Sequence, residues 1–258
     1  MIPDNIRKEI LHRLQAAEEE HQVRILMAIE SGSRAWGFAS VDSDYDVRFI
    51  YAHPKDWYVA VDLEQKRDVI EYEITDEIDL NGWDVRKALK LFSKSNPAFV
   101  EWIQSPITYI DSGAFREKSL QLLSQIYSVK KGIYHYRSMA KTNYRGYLRS
   151  EEVRLKKYFY VLRPLLAIRW LELYQCAAPV EFYRLLDLLD DKPLLQAIDK
   201  LLKKKKAGKE ISKAPAIPIL NEFIESELER LEMLTPEEIN NPHSMDKLNS
   251  LFYEILDE

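Results

Sequence analysis

The sequence predicts an α+β half followed by an all-helical half. Three observations lead there. Between residues 23 and 81, short apolar runs and period-two alternation recur, the pattern of half-buried strands. From about residue 114 onward the apolar spacing is helical almost throughout. Only seven of the 258 residues are glycine and 31% are charged, a composition suited to a well-ordered, largely helical chain. With 46% apolar residues, a chain of this length holds two modest cores more readily than one.

The elements follow in order. Asp4 is placed to cap a first helix with Ile6, Ile10, Leu11, Leu14 and Ala17 on one face. Val23 to Ile29 reads as a buried strand feeding a Gly32-Ser33 turn. Tyr45, Val47, Phe49 and Tyr51 alternate with Asp44, Asp46 and Arg48, giving a second strand with one apolar and one charged side. Asp68 to Ile74 and Glu77 to Asn81 read as further strands. Asp84 is placed to cap a helix whose core face is Val85, Ala88, Leu89 and Phe92, and Asn96-Pro97 is a second helix start. Ser105 to Gly113 reads as the connection between halves, so the expected domains are residues 1–110 and 111–258. Ala207-Gly208 and the prolines at 215, 218, 236 and 242 mark loops within the helical half.

Net charge is −5, which excludes a generic polyanion binder, but the charge is unevenly spread. Residues 130–170 hold eleven Lys/Arg against two Glu, whereas residues 220–258 hold two against eleven Asp/Glu. Charge runs of this kind are ordinarily solvated helical faces. The basic segment, however, is interleaved with Tyr134, His135, Tyr136, Tyr144, Tyr147, Tyr158, Phe159 and Tyr160, the mixture that contacts phosphates and stacks bases. The single cysteine, Cys176, forms no internal disulfide and reads as core packing rather than a nucleophile. No apolar run is long enough to span a bilayer, and the first residues carry no apolar signal core, so the expected setting is cytoplasmic.

The densest chemistry lies between residues 30 and 49. Gly32, Ser33 and Gly37 make a small-residue turn that lets backbone N–H groups come close to a phosphate. Asp44 and Asp46 share one strand face, and two such acceptors side by side call for a hard cation, of which Mg²⁺ is the usual one. A Ca²⁺ loop starting at Asp42 fails, because its sixth position is Val47 instead of glycine and its twelfth is His53 instead of an acid. Asp79 offers a third carboxylate on the polar face of a later strand, with Asp76, Glu77 and Asp84 as neighbours that could replace it. In the helical half, Lys156, Tyr160 and Arg163 are spaced as one helical stripe beside the apolar stripe Leu155, Phe159, Leu162 and Leu166. By spacing alone this is a polar helix edge, and Pro164 inside it breaks a local rule next to that stripe. Lys87 and His135 read as solvated helix residues.

Gly-Ser-Arg-Ala-Trp-Gly-x4-Asp-Ser-Asp-x-Asp-Val, residues 32–47, resembles the signature of the DNA polymerase β nucleotidyltransferase superfamily, closest to the bacterial branch that includes RNA-repair-associated enzymes. The resemblance is strongest over residues 28–104 and thinner at Lys156, Tyr160, Arg163 and Lys205/Lys206. It implies a polymerase β-like domain with a mixed sheet, followed by a helical domain that closes the active-site cleft. It implies that Asp44, Asp46 and Asp79 hold two Mg²⁺ ions, and that Gly32, Ser33 and Arg34 bind the triphosphate of an NTP such as ATP. Lys156, Tyr160 and Arg163 would form a second wall for triphosphate or base, and tyrosine at 160, where such families often carry histidine, argues against proton transfer there. The implied reaction moves a nucleoside monophosphate from an NTP to a hydroxyl with release of pyrophosphate. The favoured acceptor is an RNA 3′ end. A protein or small-molecule hydroxyl, or a non-catalytic nucleotide- or RNA-binding module, are the alternatives.

Overall fold

The structure is a computed structural model describing residues 2–207, 213–235 and 244–258. The expected loop markers Gly208, Pro236 and Pro242 lie outside the described residues. The order of elements is α1 (Asp4–His21), β1 (Arg24–Glu30), α2 (Gly32–Ala35), β2 (Tyr45–Ala52), α3 (Lys55–Tyr58), β3 (Val69–Glu71), β4 (Ile78–Asp84), α4 (Val85–Ser93), α5 (Pro97–Ile103), β5 (Thr108–Asp111) and α6 (Phe115–Ile126). There follow α7 (Val129–Tyr147), β6 (Glu152–Val153), α8 (Phe159–Tyr174), α9 (Phe182–Leu186), α10 (Lys192–Lys206), β7 (Ala214–Pro215), α11 (Pro218–Glu232) and α12 (Ser244–Asp257). The fold class is α+β, as the patterning predicts.

Unit 1 comprises Met1–Ala35, Asp44–Ile126 and Asn241–Glu258. Its sheet runs β3-β4-β2-β1-β5, with β2 and β4 parallel and the other neighbours antiparallel. α1 lays Ile10, Leu14 and Ala17 onto one sheet face, against Ile25, Ala28, Tyr45, Val47, Phe49, Tyr51 and Leu80. Alternation therefore turns Asp46, Arg48 and Ile50 to the other face. There α4 packs on β2 and β4, α6 on β1, and α12 on α4 and α6. Gly82 pairs with Phe49, and a Cβ at this glycine would meet the Phe49 ring at 2.3 Å, so the missing side chain makes room for that ring.

Two local expectations are corrected. Ser105 to Gly113 is not merely a linker: Thr108–Asp111 forms the edge strand β5 on β1, and Tyr109 is buried beneath it. With two of its four residues partly buried and one exposed, β5 carries too weak an alternation to be read alone. Asp4 starts α1 rather than capping it, and Pro3 occupies the cap position. Asp84 caps α4 as expected, its side chain accepting from the Arg86 N–H, and it also closes β4. The compact units are not contiguous in the chain: α6 and α12, which cover the sheet's second face, belong with it in unit 1.

Unit 2 comprises Trp36–Ser43 and Tyr127–Asn240. It is helical apart from the two-residue ladder β6–β7, which the sequence did not announce. α8 is its central helix, with ten buried residues, and Pro164 sits inside it. The short Trp36–Ser43 segment belongs to this core through Phe38, which stacks on Phe159 at 4.4 Å and meets Phe182 edge-on.

Candidate active site

The site in unit 1 is built where β1, α2, β2 and β4 begin or end together. β2 and β4 run parallel with Asp46 opposite Asp79, which sets the two carboxylates on neighbouring strands. Arg48, two residues along on the same face, answers both. Its Nη2 donates to Asp79 Oδ2 at 2.6 Å and to Asp46 Oδ1 at 3.3 Å, and its Nη1 donates to the Asp79 carbonyl at 2.8 Å. Asn81 Nδ2 donates to the other Asp79 oxygen at 2.5 Å. Asp44 precedes β2 and is exposed. Burial pushes the Asp46 carboxyl above the usual carboxylate range; Arg48 pulls it back, and the charges of Asp79 and Asp44 push it further.

Gly32 and Ser33 open the one-turn helix α2, so the expected turn is helical. Gly32 has φ +57°, and a Cβ there would lie 1.9 Å from Asp46 Oδ2, so the turn's backbone rests directly against that carboxylate. Only glycine permits both the conformation and the approach. The Ser31 N–H donates to the Asp46 carbonyl at 2.8 Å, tying the turn to β2. Arg34 lies over the Tyr45 ring at 3.8 Å and donates from Nε to the Asp44 carbonyl at 3.2 Å, so it braces this strand end.

Behind Asp46 stands a carboxylate the sequence reading missed. Glu30 is fully buried at the end of β1, accepts the Asp46 N–H at 3.0 Å and accepts the Tyr109 hydroxyl at 2.5 Å. Desolvation pushes its carboxyl up to about 7 against those two hydrogen bonds. A lone acid closing an apolar run was the available signal, but its partner Tyr109 lies on the strand that was itself unread. Among the described residues no group of three or more His, Cys, Asp or Glu is placed to hold a metal ion as it stands. Arg48 already spans Asp46 and Asp79, and Asp44 points from an exposed position.

The predicted wall in unit 2 is not one polar stripe. Lys156 lies in a 3-10 turn, Leu155–Tyr158, before α8 begins. It is exposed, and with Lys205 it draws down the carboxyl of Asp42, whose main support is a hydrogen bond with Ser40. Lys205 Nζ donates to Ser40 Oγ at 2.7 Å and Ser43 Oγ at 3.1 Å, fastening the Trp36–Ser43 segment to α10. Tyr160 is 41% exposed and meets Trp36 edge-on at 5.8 Å. Arg163 is buried, because α8 runs through the middle of unit 2 and is covered on every side from Val161 to Ile168. Its guanidinium lies over the Trp36 ring at 4.8 Å, and its Nη2 donates to the Val180 carbonyl at 3.3 Å. It supports Trp36 rather than lining an open surface.

The chain matches the RNA repair pathway DNA polymerase beta family over residues 6–254. It belongs to that family. It is also 44% identical over 227 residues to the uncharacterized protein YcgL of Bacillus subtilis (strain 168), covering 88% of this chain and 86% of that one. Among solved structures it is similar to a nucleotidyltransferase-like protein from Exiguobacterium sibiricum 255-15, at 11% identity and a TM-score of 0.32, over 94% of this chain and 78% of that one. Membership places the chain among polymerase β-type nucleotidyltransferases. In this family member Lys87 pairs with Asp68 at 2.8 Å and His135 is an exposed residue of α7. Cys176 is exposed, contrary to the expected packing role, because it follows the end of α8 at Gln175, where the backbone turns left-handed and leaves the core. Among the described residues no helix is long and apolar enough to cross a membrane.

Proposed function

We propose that the chain transfers a nucleoside monophosphate from an NTP to a hydroxyl, an RNA 3′ end being the acceptor, with release of pyrophosphate. The observation that carries the reading is the closure of Gly32 on Asp46: a backbone turn with no side chain rests against a carboxylate that is itself paired with a second carboxylate. A triphosphate bound at the Gly32-Ser33 turn would therefore sit beside these acids. The donor set fits divalent-metal chemistry. Asp44, Asp46 and Asp79 are hard oxygen donors, and Asp46 responds to the charges of the other two. These three would hold Mg²⁺, two ions in the full arrangement, which supplies Lewis-acid charge at the phosphates when bound.

The chain's own groups divide the remaining work. Gly32 and Ser33 bind phosphate oxygens, while Arg34 fixes the strand end that carries Asp44. Arg48 and Asn81 orient Asp79, and Glu30 orients Asp46 through its backbone. In the reaction the acceptor hydroxyl gives up its proton to solvent as its oxygen bonds to the α-phosphorus, the bond to the bridging oxygen breaks, and pyrophosphate departs with that electron pair. Within unit 2, Lys156 and Tyr160 are the exposed members of the expected wall, and Arg163 acts by holding Trp36.

The test is pyrophosphate release with Mg²⁺ and each NTP, on total cellular RNA. Asp46→Asn and Asp44→Asn should each abolish release. Both should melt no lower than wild type: at position 46 an amide oxygen still accepts from Arg48, and at either position one repelling charge is gone. Near-wild-type turnover in either variant would refute the assignment.

A further inference from the structure

The expected nucleic-acid surface of unit 2 was the whole basic-aromatic segment, residues 130–170. The structure divides that segment into two sides of different character. On one side of α7, Tyr134, Arg137 and Lys141 line a shallow groove of about 510 Å³ against α11, together with Leu228 and Glu232. Its charge is already answered. Lys141 pairs with Glu232 at 2.9 Å, Arg137 donates to the Leu231 carbonyl at 2.8 Å, and Lys141, Arg145 and Arg137 together draw the Glu232 carboxyl down. Deeper between the helices, Glu227 takes Arg169 and Arg230, and the Tyr144 hydroxyl donates to Glu225. Glu232 of α11 thus answers Lys141 directly and feels the charge of Arg137 and Arg145 on the same face of α7.

The end of α7 differs. Lys157 Nζ lies 4.1 Å from the ring centroid of Tyr147 and 4.7 Å from that of Tyr160. The two rings are 47% and 41% exposed, and among the described residues Lys157 has no carboxylate partner. Tyr160 continues edge-on to Trp36, which Arg163 backs from the core. The result is a row of aromatic faces with cations set between and behind them. From residue 147 to 163 the chain carries five Lys/Arg against two Glu. Two exposed π faces, each with its centroid within 5 Å of one shared ammonium, fit a strand that offers unpaired bases and phosphates in alternation.

We infer that Tyr147, Lys157 and Tyr160 form the platform on which single-stranded RNA docks, with bases stacking on the two tyrosines and Lys157 on the intervening phosphate. The inference rests on the reading of an RNA acceptor given above and names the surface that receives it. A duplex cannot use such a platform, because its bases are already stacked.

Fluorescence anisotropy with a fluorescein-labelled 12-nucleotide single-stranded RNA tests it across a salt series. Tyr147→Ala should weaken binding by about 5- to 150-fold, the loss of one stacked base, whereas Tyr147→Phe should stay near wild type because stacking needs the ring and not the hydroxyl. Lys157→Gln should weaken binding and make the log–log salt slope shallower by about 0.7, one phosphate contact on a single strand. Lys141→Gln should leave the slope unchanged, since Glu232 already answers that charge. The platform is refuted if wild type does not bind the strand, if Tyr147→Phe loses as much as Tyr147→Ala, or if Lys141→Gln shifts the slope as much as Lys157→Gln. Displacement of the RNA by an acidic tyrosine-rich peptide at lower concentration than by unlabelled RNA would refute it in favour of a protein partner. Should Tyr147→Ala fail to fold, the slope change in Lys157→Gln decides. Pyrophosphate release onto a non-RNA acceptor, without RNA binding, would remove the platform and keep the transferase. Tyr147-dependent RNA binding without transfer with any NTP would keep the platform and remove the transferase.

Discussion

Replacing Gly32 by alanine puts a methyl group where the Asp46 carboxylate now lies. The added Cβ would stand 1.9 Å from Asp46 Oδ2 and 2.7 Å from its Cγ, at a residue whose φ is +57°. The left-handed conformation costs an L-residue about 1–2 kcal/mol. Forcing the carboxylate aside is overpacking, at about 1–3 kcal/mol. Gly32→Ala should therefore destabilise unit 1 by about 2–5 kcal/mol and misplace Asp46, with loss of transfer. The two contributions separate in a double-mutant cycle. With Asp46→Ala the carboxylate is gone and only its Cβ remains, 3.2 Å from the new methyl group. In that background Gly32→Ala should cost only about 1–2 kcal/mol, the backbone share. Hydrogen exchange at the amides of β1 and β2 reports unit 1 alone and supplies the free energies. An equal cost of Gly32→Ala in both backgrounds would refute the close approach on which the site rests.

Asp84 gives a pH prediction away from the site. Burial pushes its carboxyl from 3.8 up to about 6, against hydrogen bonds from Tyr58 and the first turn of α4. The folded state therefore holds this proton more tightly than the unfolded one, an advantage that is full below 3.8 and lost as pH rises through about 6. Asp84→Asn keeps an acceptor for the Arg86 N–H; it should stabilise the protein at pH 8 by at most about 3 kcal/mol and make no difference near pH 4, as read by urea denaturation. An advantage that grew toward acid pH would reverse the argument. Arg163→Ala should lower the stability of unit 2 by about 2–4 kcal/mol, through the lost Val180 bond and the lost contact on Trp36, and should change tryptophan fluorescence without any ligand. A variant that melted like wild type and lost only NTP affinity would return Arg163 to the nucleotide surface. Trp36→Phe should remove most of the fluorescence change that Mg²⁺ and an NTP produce, and an unaltered change would move the nucleotide away from this segment.

Local pattern carried far in this chain. Alternation in Tyr45–Tyr51 set the apolar and charged sides of β2 correctly, because a strand's two faces are written directly in its sequence. The capping residues Asp84 and Asn96 marked real helix starts, because a cap is a bond within three residues of its donor. The family resemblance, carried by a short contiguous motif, was equally legible.

What the sequence could not hold was pairing at a distance. β5 was missed because an edge strand of four residues is defined by its partner β1 more than by its own alternation. Glu30 became interesting only when Tyr109, 79 residues away, donated to it in a dry interior. Spacing placed Lys156, Tyr160 and Arg163 on one line, yet the 3-10 turn broke that line at one end and the core took Arg163 at the other. The basic run of α7 likewise looked free until α11 laid its glutamates along it. By itself the sequence determined the fold class and the strand and helix faces, both set by neighbours within a few residues. Only the tertiary structure decided which charges are answered, which are buried and which remain for a ligand, because electrostatic free energy depends on distance and solvent exposure rather than on order along the chain.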